Sequence, residues 1–234
     1  MIRRSLLLVA CLAAAPAQAQ WANEVSLGYL AASGNTETES LNGKATLVYK
    51  TDQWTNTFTG LGAYSTEQDD TTAERYAASD KFDWNLSEVD YLFAAVDWDK
   101  DLFGGIRERT SETVGYGRHV LTGPEHLLDL EIGAGARQSE LNGTRDNEDD
   151  IIARGSAKYQ WTISETSQFV QALKVETGDF NTYVESVSEL KLAIVGDLFA
   201  ALSYTVKHNS EVPDTSEKTD TYTAVSLAYN FGSE

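Results

Sequence analysis

Apolar and polar side chains alternate over stretches of about 10 to 14 residues through most of the chain, and turn-forming residues separate the stretches. Between Glu39 and Lys50, Leu41, Ala45, Leu47 and Tyr49 alternate with Asn42, Lys44 and Thr46. Between Leu127 and Glu140, Leu128, Leu130, Ile132, Ala134 and Ala136 alternate with Asp129, Glu131, Gly133, Gly135 and Arg137. A period of two puts the first set on one face of an extended strand and the second on the other. About twelve such stretches follow one another, the count single-chain barrels favour being even. They are Trp21 to Ser33, Glu39 to Lys50, Trp54 to Tyr64, Tyr76 to Leu86, Tyr91 to Lys100, Ile106 to Val120, Leu127 to Glu140, the region of Ile151 to Trp161, Gln168 to Thr177, Tyr183 to Val195, Phe199 to Lys207 and Thr221 to Phe231. The ninth and tenth are the least regular.

Among the longest unbroken apolar runs are Leu92 to Val96 and Leu198 to Leu202, far short of a membrane-crossing helix. Alternation with one charged face is instead the pattern of a membrane-crossing strand, and lipid tolerates strands only when the sheet closes on itself. The expected fold is therefore all-β, a transmembrane antiparallel up-and-down β-barrel of about twelve strands. Connection lengths agree with it. Short connections near Thr51-Asp52, Ser87-Glu88, Thr122-Gly123-Pro124, Ser164-Glu165 and Gly196-Asp197 alternate with longer polar ones: Gly34 to Thr38, Ser65 to Arg75, Asp101 to Gly105, Asn142 to Asp150, Gly178 to Thr182 and His208 to Asp220. Outer-membrane barrels show this phasing, with short periplasmic turns and long external loops, and it places both termini in the periplasm. Trp21, Tyr49, Trp54, Tyr64, Tyr76, Trp84 and Trp161 stand near strand ends, where aromatic girdles form at the two interfaces. The last stretch alternates up to Phe231 as a strand read by barrel-assembly machinery does, although Gly232-Ser233-Glu234 extend beyond it.

The opening residues change the picture by adding an address. Arg3 and Arg4, an apolar segment from Leu6 to Ala15 and a small-residue site at Ala17-Gln18-Ala19 read as a signal peptide, residues 1–19, leaving residues 20–234 as one barrel domain. Leu8-Val9-Ala10-Cys11 also resembles a lipoprotein box, but it would leave a very short apolar segment. Cys11 is the one cysteine, so the exported chain has no thiol for a disulfide, a metal site or a nucleophile. Loss of Arg3 and Arg4 takes the formal charge from −18 to −20, which disfavours nucleic-acid partners. The expected partners are outer-membrane lipid, lipopolysaccharide and the assembly machinery.

A twelve-stranded barrel is wider than the eight-stranded kind that side chains fill and narrower than an open sixteen-stranded porin, so a narrow or plugged polar lumen is expected. Its candidate lining residues are Lys44, Lys81, Asp83, Asp97, Asp99, Arg107, Arg109, Glu131, Arg137, Arg154 and Lys158, with Lys174 beside them. They fit either a ladder of ion pairs that satisfies a buried polar core or a constriction that selects small solutes by charge. A lipid-modifying enzyme is the rival class. Its histidines would be His119, His126 or His208; His119 and Ser111 lie eight residues apart on one stretch, over 25 Å at about 3.3 Å per residue, too far for a dyad. The acidic groups Glu67, Asp69, Asp70 and Asp146, Glu148, Asp149, Asp150 read as solvated loops, without the glycine spacing of a calcium loop. No metal ligand or cofactor is expected.

Gly28-Tyr29 with Ser33-Gly34-Asn35-Thr36, then Tyr91, Asp97 to Asp101, Phe103-Gly104-Gly105-Ile106, Arg109 and Gly115-Tyr116-Gly117, resemble the salt-induced outer-membrane protein family catalogued as domain of unknown function 481. The resemblance covers essentially the whole exported chain. It implies an outer-membrane location, a link to salt or osmotic stress in name, and no established activity. The residues that carry it are glycines, aromatics and hairpin residues, which mark architecture rather than catalysis.

Overall fold

In a computed structural model the described residues are 20–32, 38–68, 70–143 and 147–232. Residues 1–19, expected from the sequence to be a leader, the Ser33-Gly34-Asn35-Thr36 segment, Asp69 and Asp146 lie outside them. Twelve strands form in chain order: β1 (Gln20–Ala32), β2 (Thr38–Lys50), β3 (Trp54–Glu67), β4 (Asp70–Asn85), β5 (Asp90–Asp101), β6 (Ile106–Thr122), β7 (His126–Leu141), β8 (Asn147–Ser164), β9 (Ser167–Thr177), β10 (Thr182–Val195), β11 (Leu198–Asn209) and β12 (Thr219–Phe231). Each pairs antiparallel with the next, and β12 returns to β1 through Asn23↔Phe231 to Leu27↔Leu227, so the sheet is a closed barrel. β9 and β10, the least regular in pattern, pair without a register shift from Thr182↔Thr177 to Leu192↔Ser167.

Alternation decides the faces. Ile132 and Ile151 are 70% and 81% exposed on the outside, while their neighbours Arg137 and Ile152 on the inward rows are 1% exposed. An apolar outer face in contact with lipid and a polar inner face is the arrangement a membrane barrel requires. At the short-turn end the rings of Trp21, Tyr49, Trp54 and Phe82 follow one another at 4.7, 5.2 and 5.3 Å between centroids. Near the other end Tyr29, Tyr64, Tyr76 and Tyr204 are exposed, giving the second girdle.

The short turns close with local hydroxyl chemistry. Thr51 Oγ1 accepts from the Trp54 amide at 3.0 Å, and Ser87 Oγ from the Asp90 amide at 3.0 Å. Gly196 has φ +53°, a left-handed value that glycine adopts without strain. Two long connections differ from the sequence expectation. The segments Ser65 to Arg75 and Asn142 to Asp150 are not loops throughout: β3 runs to Glu67, β4 starts at Asp70 and β8 starts at Asn147. Beyond the lipid neither face of a strand needs to be apolar, so these hairpins continue into water while the alternation that marks them fades.

Candidate functional site in the barrel lumen

The inward rows carry charge along nearly the whole interior, and in the half nearer the long loops these charges meet across the barrel. Lys207 on β11 reaches Asp99 on β5 at 2.6 Å, and Arg154 on β8 reaches Asp97 on β5 at 2.8 Å. Lys174 on β9 bridges Asp97 at 3.5 Å and Glu185 at 3.4 Å. Arg75 on β4 pairs with Asp99 at 3.3 Å and Glu185 at 3.9 Å. Tyr222 on β12 donates to Asp101 Oδ2 on β5 at 2.7 Å. Many of these strands are not neighbours in the sheet, so their side chains can meet only by crossing the lumen. Arg109 stacks its guanidinium 3.5 Å from the centre of the Tyr183 ring and donates to Asn209 Oδ1 at 3.2 Å.

Nearer the long-loop mouth the network becomes buried. Arg137 Nη2 donates to Asp150 Oδ2 at 2.7 Å and to the Asn181 carbonyl at 2.5 Å. Asp150 is therefore not a solvated loop carboxylate; it is 5% exposed and held by Arg137, because the lengthening of β8 turns it inward. Asn181 in turn ties the β9–β10 connection to Asn209 and to the Glu211 amide. Asn142 donates to the carbonyls of Leu102 and Gly104 at 3.0 and 2.9 Å. A Cβ on Gly105 would lie 2.7 Å from Val212, so the β11–β12 connection packs directly on this glycine. Connections and ion pairs meet at this end.

The other half has its own groups. Lys81 bridges Asp83 and Glu131, both at 2.6 Å, and Glu131 also accepts from Tyr91 at 2.8 Å and Ser156 at 2.7 Å. Lys191 contacts Glu24 and Glu189, and Lys44 reaches Glu189 at 3.6 Å. Tyr91, Phe93 and Ala95 form the buried apolar cluster. Its rings lie on a floor of glycines: a Cβ on Gly117 would fall 2.2 Å from Tyr91 Cζ, and one on Gly115 2.6 Å from Phe93 Cε1. Between the two halves lies a cavity of about 260 Å³, lined by Lys44, Arg75, Asp99, Lys174, Glu176 and Glu185 among others.

Of the residues expected in the lumen, Lys44, Lys81, Asp83, Asp97, Asp99, Arg109, Glu131, Arg137, Arg154 and Lys174 fall into these groups. Lys158 shares the inward row with Arg154 and Ser156 and is exposed to the lumen; its register partner Asp129 is engaged by His119 at 2.6 Å. Arg107 is placed elsewhere. The register slips between Ile106 and Glu108, so the strand parity assumed for Arg107 fails there, and its side chain pairs with Glu140 at 3.5 Å outside the lumen groups. Arg75, Asp101, Glu176, Glu185, Glu189, Lys191 and Lys207 were not among the expected lining residues. Parity with Ser79 and Lys81 was a usable signal for Arg75, which the presumed loop hid.

Ser111 donates to Glu176 at 3.0 Å and His119 holds Asp129 while its ring lies 4.9 Å from that of Tyr91. His126 and His208 contact Tyr159 and Thr219. Among the described residues none of the three histidines hydrogen-bonds a serine.

The family model for proteins of unknown function, DUF481, matches residues 25–231. The chain belongs to this family. The Escherichia coli K12 protein YdiY, itself described as uncharacterized, is 33% identical over 219 residues, which is 92% of this chain and 85% of YdiY. Two solved structures share the fold: the NanC porin, with a TM-score of 0.54 at 11% identity over 89% of this chain and 100% of that one, and the COG4313 outer membrane channel from Pseudomonas putida F1, with 0.52 at 12% identity over 93% and 97%. In this DUF481 member the Tyr91 and Gly115-Tyr116-Gly117 positions have a physical role, ring over glycine floor, and Asp97 to Asp101 supplies the acidic side of the cross-lumen bridges.

Proposed function

We propose that this barrel is a non-enzymatic protein of the Gram-negative outer membrane whose lumen is a narrow passage for small solutes, constricted by the cross-lumen ion pairs. The observation that carries the reading is that ion pairs from distant strands converge around a cavity of about 260 Å³, rather than apolar side chains filling the interior. Apolar packing braces a barrel as well as or better than buried ion pairs, which repay little more than their desolvation cost. A charged constriction has a use that a brace lacks: it discriminates among solutes. The porin and channel with this fold support the reading at the level of architecture alone. The short turns face the periplasm in this proposal, the long acidic loops face outward, and the strand ending at Phe231 is the one the assembly machinery reads.

The exported chain has no cysteine after the leader is removed, so single cysteines report sidedness cleanly. In intact cells a membrane-impermeant maleimide is expected to label Asp214→Cys, in the β11–β12 connection, and not Gly123→Cys, in a short turn. Labelling of Gly123→Cys alone would reverse the orientation. In liposome-swelling assays the wild-type barrel is expected to admit only the smallest solutes, and Lys207→Ala to admit larger ones. Lys207 is suited to this test because Asp99 keeps Arg75 and Arg109 after its removal. Equal, undetectable swelling by both folded proteins would sink the passage.

A further inference from the structure

We infer that the outer wall over β3 and β4 is an interface with a second copy of this chain, built around Asp80 and Asn56. The inference is separate from the passage and holds whether or not the lumen conducts. Asp80 stands in the outward row of β4, midway between the exposed rings of Trp84 and Tyr76, which mark the two girdles. Its carboxylate is thus at mid-depth on the face turned to lipid. Asn56 on β3 donates to its Oδ1 at 2.8 Å, in an exposed position. Glu112, in the outward row of β6, is exposed as well, and among the described residues it makes no ion pair. Asp80 and Glu112 flank the same residue, Val96 on β5. Lipid tails offer a carboxylate no donor, so such groups in the wall are costly unless protein covers them.

Two glycines on the same wall give independent support. Gly60 and Gly62 face outward on β3, and a Cβ on either would meet nothing of this chain nearer than 3.7 Å. Inside the barrel the rings of Phe93 and Tyr91 account for Gly115 and Gly117; no neighbour within the chain accounts for Gly60 and Gly62. A strand glycine costs backbone entropy and often marks a place where another backbone approaches closely. Ala78, the register partner of Gly60, keeps the wall low beside Asp80.

A second copy fits because the polar pair is self-complementary. A twofold axis along the membrane normal keeps every atom at its own depth and makes each contact reciprocal. The Asp80 carboxylate and the Asn56 amide lie at nearly the same depth, since they are bonded to each other. Each Asn56 can therefore donate to the Asp80 carboxylate of the opposite copy and receive the same contact in return.

The test uses the full barrel assembled in outer membranes, with one introduced cysteine and a lipid-permeant bis-methanethiosulfonate cross-linker. Ala78→Cys is expected to give a product of twice the barrel's mass. Leu173→Cys, exposed on β9 at the opposite wall, is expected to give none. Adding Asp80→Leu to Ala78→Cys is expected to lower the yield at least tenfold while the barrel stays heat-modifiable, because an apolar side chain suits lipid at that position. No product from Ala78→Cys, an equal yield from Leu173→Cys, a yield unchanged by Asp80→Leu, or a product of any other mass would overturn the interface between copies. Should the Asp80→Leu protein fail to assemble, the comparison of the two cysteine positions decides alone.

Discussion

Replacing Arg137 with Ala is expected to cost the barrel about 3–5 kcal/mol of unfolding free energy, the range for breaking a buried ion pair by removing one partner. Arg137 is 1% exposed, and its guanidinium serves Asp150, the Asn181 carbonyl and the Glu176 carbonyl, with the Glu176 carboxylate 4.0 Å away. Its loss leaves the buried Asp150 carboxylate without its cation and Glu176 with Arg154 and Ser111 alone. Urea titration of barrel refolded into vesicles, read by the heat-modifiable shift on gels, measures the effect. The triple variant Arg137→Met, Asp150→Asn, Glu176→Gln removes the charges together with their partner and is expected to recover most of the loss, since neutral groups carry a smaller desolvation cost. A single variant as stable as wild type would mean that Arg137 is not the keystone of this end.

Gly117→Val is expected to destabilise the barrel strongly. Overpacking a tight interior typically costs 1–3 kcal/mol, and more when no neighbour can give way. The added Cβ would sit 2.2 Å from Tyr91 Cζ and 2.6 Å from its hydroxyl oxygen, while Tyr91 is 2% exposed and pinned by its hydrogen bond to Glu131. Removing the ring opens the space, so Tyr91→Ala combined with Gly117→Val is expected to be more stable than Gly117→Val alone. Folding yield in vesicles and the urea midpoint both report this. A double variant worse than both single ones would place the clash somewhere other than the ring.

Strand identity and facing were legible because lipid imposes a strict rule on one face of every strand, and Leu92, Ala94, Val96 and Trp98 against Asp97 and Asp99 obey it. Outside the lipid that rule lapses, which is why the hairpin from Ser65 to Arg75 read as a loop and Arg75 went unnoticed. The same lapse hid Asp150. Arg107 was misplaced for a different reason: one slipped register position between Ile106 and Glu108 reverses strand parity, and nothing in the side chains around it announces the slip. Which charges find one another was beyond the sequence altogether. The pairing of Lys207 with Asp99 or Lys81 with Glu131 depends on barrel closure and strand stagger, which bring together residues far apart in the chain. The glycines Gly115 and Gly117 were visible as motif residues, but their partner rings on β5 were not.

The lumen thus has two regions of different character. One is a buried clasp at the long-loop end, centred on Arg137; the other is a set of ion pairs nearer the middle, around Asp97, Asp99, Lys174 and Lys207, whose carboxylates each have more than one cation partner. Sharing means that loss of one cation from the second set leaves its carboxylate still paired, so variants there alter the bore with less harm to the fold than variants in the first. Single-channel recording in planar bilayers tests this most directly. The wild-type barrel is expected to show a small, stable unit conductance that is larger in Lys207→Ala, with both proteins equally heat-modifiable; no conductance from either folded protein would contradict the passage and leave the ion pairs as a brace.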